Sequence, residues 1–264
     1  MKNKLKRFPA VLVSVLLSLS AAGNAQTLDE KITGFFSYRE IGPTRQGGRY
    51  VDFAVPKGRQ HTFYAATATG GLWKTENRGI TFKSIFDVKD VVAIGAVAIP
   101  NTEPNTVWVG TGEGNNSRSV YGGNGIYKST DAGETWQQMG LEKTGHIRRI
   151  RIDPTNANIV YAVALGHLYT ETKDRGLYKT ENGGRTWKKV LSIKDHGKHI
   201  GVVDVVVNPE NPEIVYAAAY DKVRRPWTFN LGGPGSGIYK STDGGDSWKE
   251  LTNGLPGGML GRIG

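Results

Sequence analysis

Apolar and polar positions alternate over short runs along most of the chain, and the runs come in groups of four. In one group they are IGAVAIP from Ile94, NTVWVGTG from Asn105, GIYKS from Gly125 and TWQQMG from Thr135. Runs of four to eight residues with period-two alternation, separated by Gly, Pro and Asn turns, predict β-strands. The same order recurs as YVDFAVP, HTFYAAT, GGLWKT and TFKSIF. It returns as IRRIRIDP, NIVYAVAL, GLYKT and TWKKVL, and again as VVDVVVNP, EIVYAAA, GIYKS and SWKEL. Each group predicts one four-stranded antiparallel sheet. Pro-Asn turns such as Asp153-Pro154-Thr155-Asn156 join first strand to second, where Pro fixes φ and removes a ladder donor.

Between the third and fourth strands lies a repeated polar turn. KSTDAGETW from Lys128 has close copies in KTENRGITF from Lys74, KTENGGRTW from Lys179 and KSTDGGDSW from Lys240. Aligned, they place Asn77, Asp131, Asn182 and Asp243 in register at steps of 54, 51 and 61 residues, a period that belongs to propellers or solenoids. The short acid or amide accepts hydrogen bonds from backbone N–H groups of its own turn. The Gly two positions later permits a positive φ. Trp136, Trp187 and Trp248 carry enough area to pack on a neighbouring unit, with Phe82 in that place in the first copy. These residues are structural. The expected fold is all-β, a β-propeller of four-stranded antiparallel blades around a central channel.

The turn resembles the Asp-box, or BNR, repeat, roughly Ser-x-Asp-x-Gly-x-Thr-Trp. Asn77 and Asn182 depart from it but keep the acceptor oxygen. Over residues 38–264 the chain is similar to the N-terminal part of large secreted bacterial proteins that carry a sortilin-type Asp-box propeller, a group often called glycosyl hydrolase or BNR-repeat proteins. The resemblance implies a ring larger than the chain supplies. Xyloglucanase-type enzymes of related fold place acidic residues in a cleft between two propellers, whereas the arginine cluster and Tyr/Glu pair of sialidases have no match here.

The ends of the chain sharpen this expectation. Lys2, Lys4, Lys6 and Arg7 precede an apolar run from Phe8 to Ala22 and small residues to Ala25, the pattern of a cleaved export signal rather than a membrane span. Residues 1–25 are therefore expected to be a signal peptide, with a secreted or periplasmic bacterial location. Residues 26–47 form an extension whose FFSYREIG (35–42) reads as an orphan closing strand. Residues 48–264 hold four blades and the start of a fifth, so a downstream propeller portion is expected to be missing. The chain has no Cys, so neither disulfides nor a lipid-modified Cys are available.

Charge adds little. The formal +10 becomes +6 once the four basic residues of the leader are removed, and Lys and Arg are scattered rather than interleaved with aromatics, which argues against a nucleic-acid partner. Glycine-rich runs lack the helix and Gly-Lys-Ser/Thr step of a phosphate cradle, and no cofactor is expected.

In a four-stranded up-and-down blade the recurrent turn and the first connection share one face. The long loops at 112–125, 166–176 and 221–237, with 140–146 and 195–201, share the other, and binding groups held by a rigid scaffold accumulate on such loops. Glu113 with Arg118 reads either as a carboxylate aimed at the channel mouth or as a buried ion pair. Arg224-Arg225-Pro226-Trp227 offers cations and an aromatic plane for an acidic or sugar ligand, or a Trp packed on the next blade. His196 and His199 offer two nitrogens but no third strong ligand, so no metal is assigned. The candidate catalytic residue is Glu113; the candidate ligand-binding residues are Arg118, His167, Arg175, Arg224, Arg225 and Trp227. The expected function is a binding scaffold for protein, peptide or glycan ligands. The alternative is a glycoside hydrolase that uses acidic residues of the long-loop face together with a second propeller.

Overall fold

The computed structural model describes residues 49–87, 91–115, 121–170, 172–195, 198–225 and 227–264, all within one compact unit spanning 41–264. The signal peptide, the closing strand at 35–42, Arg118 and His196 lie outside the described residues. The fold is all-β, built from four- and five-stranded antiparallel sheets.

The first sheet is β1 (Tyr50–Ala54), β2 (Phe63–Thr67), β3 (Leu72–Thr75) and β4 (Lys83–Ser84), hydrogen-bonded in chain order. The second is β5 (Ile94–Ala98), β6 (Val107–Thr111), β7 (Ile126–Ser129) and β8 (Gln137–Gln138). The third is β9 (Ile147–Ile152), β10 (Val160–Ala164), β11 (Gly176–Thr180) and β12 (Lys188–Leu191). The fourth has five strands, β13 (Ile193–Asp195), β14 (Lys198–Val207), β15 (Val215–Tyr220), β18 (Gly237–Ser241) and β19 (Lys249–Leu251), while β16 (Lys222–Arg224) and β17 (Phe229–Leu231) pair as a hairpin.

Two segments expected as loops are therefore strands. Around 195–201, β13 and β14 pair antiparallel, Ile193 with Ile200 and Lys194 with His199. Within 221–237 the β16–β17 hairpin closes through the Arg225 N–H donating to the Thr228 carbonyl at 2.9 Å. Both are local ladders that fall below the length at which alternation is legible.

Side-chain alternation explains how the sheets stack. In β6, Val107 and Val109 join the apolar layer shared with the first sheet, while Trp108 joins the layer shared with the third. In β10, Val160, Ala162 and Ala164 face the second sheet, and Tyr161 and Val163 face the fourth. A strand with both faces covered must be apolar throughout, which is why these runs read almost continuously hydrophobic.

The recurrent turns dock one sheet on the previous one. Asp131 accepts from the Ser129 hydroxyl at 2.7 Å, the Thr135 N–H at 2.9 Å and the Thr135 hydroxyl at 2.6 Å. These bonds, the Thr135 hydroxyl first, hold its carboxyl well below the usual range. Asp243 does the same with Ser241 and Ser247. At Asn77 and Asn182 the carbonyl oxygen accepts from Thr75 and Thr81, and from Thr180 and Thr186. There the amide donates to the Thr81 or Thr186 hydroxyl at 2.8 Å, so that hydroxyl changes from donor to acceptor and the turn persists. Trp136 and Trp187 donate from Nε1 to the carbonyls of Ile85 and Met139 on the preceding sheets, at 2.6 and 2.7 Å. Trp248 bonds its own turn instead, at the Gly245 carbonyl, 3.0 Å.

Candidate functional site

The first strands β1, β5, β9 and β14 lie side by side, and each carries a β-bulge at the same place. The extra residues are Val51, Gly95, Arg148 and Val203. A bulge leaves one residue out of the ladder and re-aims its side chain. Of the residues that follow these bulges, Asp52, Arg149 and Asp204 build a link between sheets. Arg149 donates to Asp204 at 3.0 and 3.4 Å and to Asp52 at 3.4 Å, tying β9 to both β14 and β1. All three side chains are largely buried, so the triad holds three first strands in a fixed relation.

Above this frame, β6 ends in the loop Gly112–Asn115. Glu113 on it is fully buried. The guanidinium that meets it is Arg49, just before β1, which ion-pairs with Oε1; Asn115 Nδ2 donates to the same oxygen at 3.4 Å. Oε2 is buried and has no hydrogen-bond partner among the described residues. Arg118, the partner expected from the sequence, lies outside the described residues, and Arg49 lies 64 positions away in the chain. That pairing is fixed by sheet stacking and has no local signal.

Lys222 of the β16–β17 hairpin approaches the loop. Its Nζ donates to the Asn115 carbonyl at 3.4 Å and lies 5.6 Å from the Phe229 ring centre. Burial pushes its pKa down to about 8, with Arg262 and Arg224 adding to the effect and Glu113 opposing it. Arg148, the bulge residue of β9, is 8% exposed and runs along Gly114, where an added Cβ would overlap its side chain. Its Nε and Nη1 have no hydrogen-bond partner among the described residues. Burial, then Arg149 and Arg262, brings its pKa down to about 10.

Arg175 has a different place from the one its sequence position implied. It is 4% exposed, and its guanidinium donates to the carbonyls of His167 at 2.7 Å and Thr170 at 3.2 Å, with longer bonds to those of His199 and Lys222. It clips the 167–170 loop to β14 and β16. The His167 side chain is exposed, and Trp227 is 82% exposed rather than packed on a neighbouring sheet. The Arg224 guanidinium lies 4.6 Å from the Phe229 ring centre, and Arg225 is exposed at the hairpin turn. Among the described residues no group of three His, Cys, Asp or Glu side chains is placed to hold a metal.

His146 is buried under the same loops. Its Nδ1 lies 2.8 Å from the Gly166 carbonyl oxygen, so Nδ1 carries the hydrogen and donates. Nε2 is left as a buried lone pair with no partner among the described residues. Burial is the main cause of a pKa lowered to about 4, only partly opposed by the Gly166 bond. The unfolded value is about 6.5, so the neutral form is favoured by folding. This contribution is complete above about pH 6.5 and is lost as pH falls towards 4, by roughly 3 kcal/mol. We expect urea unfolding at pH 7 and pH 4.5 to show a smaller stability difference in His146→Asn than in the unaltered protein. Equal differences would remove His146 from the acid response.

A family model described as "Sortilin, neurotensin receptor 3" matches residues 124–257, just over half of the chain. The chain belongs to the sortilin–Vps10 family. This family member is also 29% identical over 245 residues to a xyloglucanase of Acetivibrio thermocellus, a match covering 81% of the chain and 27% of that enzyme. It is 26% identical over 266 residues to a xyloglucanase of a Paenibacillus species, covering 91% of the chain and 25% of the enzyme. In fold it is similar to a crystal structure of an ancestral GH74 enzyme, with a TM-score of 0.61 and 19% identity, over 79% of this chain and 26% of that one. The sortilin–Vps10 chain thus spans about a quarter of the length of these relatives. These matches correct the scaffold reading: over most of its length the chain is similar to glycoside hydrolases, and pure binding is not what its relatives are named for.

Proposed function

We propose that the chain is one part of an exported glycoside hydrolase that cleaves a β-glucan of the xyloglucan class. The observation that carries this reading is the agreement of sequence and fold with xyloglucanases and a GH74 enzyme over about four-fifths of the chain or more. In this reading the four sheets are propeller blades, the recurrent turns are Asp-boxes, residues 1–25 are the export leader, and the ring is completed by sequence beyond this chain. Glu113 is the candidate catalytic carboxylate. It combines burial, an ion pair on one oxygen and a second oxygen left for a water or a sugar hydroxyl. Glycoside hydrolysis uses two carboxyl groups flanking the bond, and the second is assigned to the downstream portion. Trp227, Arg225 and His167, exposed on the loops, are proposed to contact sugar rings, the indole by stacking and the others by hydrogen bonds. Arg118 is kept as a candidate ligand residue beside Glu113. The test is release of reducing ends from xyloglucan by the full-length protein. Turnover supports the reading, and its absence against a panel of neutral β-glucans overturns it.

A further inference from the structure

The loop that presents Glu113 is fastened at its two ends by different means. At its start backbone bonds suffice: the Gly112 N–H donates to the Ala93 carbonyl at 2.8 Å and the Glu113 N–H to the Tyr121 carbonyl at 2.9 Å. At its far end a side chain from the β16–β17 hairpin takes over, Lys222 Nζ donating to the Asn115 carbonyl at 3.4 Å. Asn115 in turn donates from Nδ2 to Glu113 Oε1, also at 3.4 Å, and Arg49 ion-pairs with that oxygen. Bonds to the carboxylate from the described residues therefore fall on Oε1, and Oε2 is left open. Lys222 is itself held from behind. It pairs with Leu231 across the hairpin, its carbonyl accepts from Arg175 at 3.4 Å, and its ammonium lies 5.6 Å from the Phe229 ring centre.

The fold does not require a lysine at this point. Tyr64, Trp108, Tyr161 and Tyr216 hold the same place in the four second strands, each with a lysine of the paired third strand over its ring. Six residues further on stand Gly70, Gly114, His167 and Lys222. Lys222 is 4% exposed, and burying an ammonium against a neutral carbonyl costs stability that an apolar side chain of similar length would not. The same burial brings its pKa down to about 8. We propose that Lys222 is a positioning residue for Glu113: it pins the far end of the Gly112–Asn115 loop and, through the Asn115 amide, sets the direction in which Oε2 points. The inference rests on the hydrolase reading with Glu113 as its carboxylate, and it adds a residue that acts without touching the sugar. Without the ammonium the hairpin keeps its own ladder, so Trp227 stays in place and substrate affinity changes little.

The test is xyloglucan turnover and thermal melting of the full-length protein carrying Lys222→Met. kcat should fall about ten- to a hundredfold, the cost of a small misplacement, with KM within about twofold and the melting temperature unchanged or higher. Lys222→Arg keeps a charged donor and should recover most of the rate. Lys222→Gln, too short to reach the Asn115 carbonyl, should lose it as Met does, which keeps the test available if the Met variant does not fold. Combined with Glu113→Gln, Lys222→Met should cost nothing more, because it acts through that carboxylate. A kcat within about twofold of the unaltered protein's, while Glu113→Gln still lowers turnover, overturns the positioning role and leaves the hydrolase reading standing. A fall in kcat matched by a fall in melting temperature makes Lys222 a structural support and also overturns it, as does an additive loss in the double variant. No turnover of xyloglucan or another neutral β-glucan by the unaltered protein overturns both.

Discussion

Glu113→Gln in the full-length protein is expected to lower xyloglucan turnover by about a hundred- to ten-thousandfold, the range associated with a positioned acid or base. The substitution keeps the size, removes the charge and turns one acceptor oxygen into an NH2 donor. Its effect on stability should be small, because the partner Arg49 is more than half exposed and water can take over its solvation. A lowered kcat with an unchanged melting temperature assigns Glu113 to the chemistry. Unchanged kcat removes it from the mechanism, and a collapse of the melting temperature together with activity makes it a structural ion pair. The pH–rate profile separates a catalytic from a positioning role: loss of a catalytic group removes one limb of the profile, whereas a misplaced site lowers the whole curve.

Gly95→Ala should be among the most damaging small substitutions in the fold. Gly95 is the bulge residue of β5, and a Cβ there would overlap the carbonyl oxygens of Ile147 and Gly112, both backbone atoms of packed segments. Gly110 meets Ile147 as well, so β9 approaches the second sheet at two glycines. Relief requires moving β9, and with it Arg148 and Arg149. We expect a loss of about 3 kcal/mol or more, seen as a fall in melting temperature of roughly 6–12 °C for a domain of this size. Gly257→Ala is the control, since an added methyl there meets nothing within 4 Å and the backbone has no left-handed φ. Equal melting temperatures for the two variants would show that the close approach of β9 does not limit stability.

What could be read from residues alone was what local chemistry dictates. NTVWVGTG and NIVYAVAL are nearly continuous apolar runs because alternate side chains enter different layers, and Pro, Gly and Asn mark where each run stops. The Ser/Thr-x-Asp/Asn turn is equally local, all of its bonds falling within four residues. The site was less legible. Glu113 stands out through its glycine-rich loop, whereas Arg49, its ion-pair partner, comes from just before β1. Arg175 reads as a ligand group from its loop, while its donors serve four backbone carbonyls. Arg148 gives no signal within its own repeat, whereas aligning YVDF, IGAV, IRRI and VVDV shows a charge where the other repeats have Val or Gly. The scaffold reading came from the same limit. Turn residues are structural whatever the protein does, and a catalytic pair of carboxylates is defined by a separation in space.

The most direct test of the account is the structure of the full-length protein with a xyloglucan oligosaccharide bound. The account predicts a sugar over the Gly112–Asn115 loop, with Glu113 Oε2 within hydrogen-bond distance of the scissile oxygen or of a water beside it. A second carboxylate from the downstream portion should stand across the same bond. A sugar seated away from Glu113, or one flanked by two carboxylates that both come from elsewhere, would contradict it.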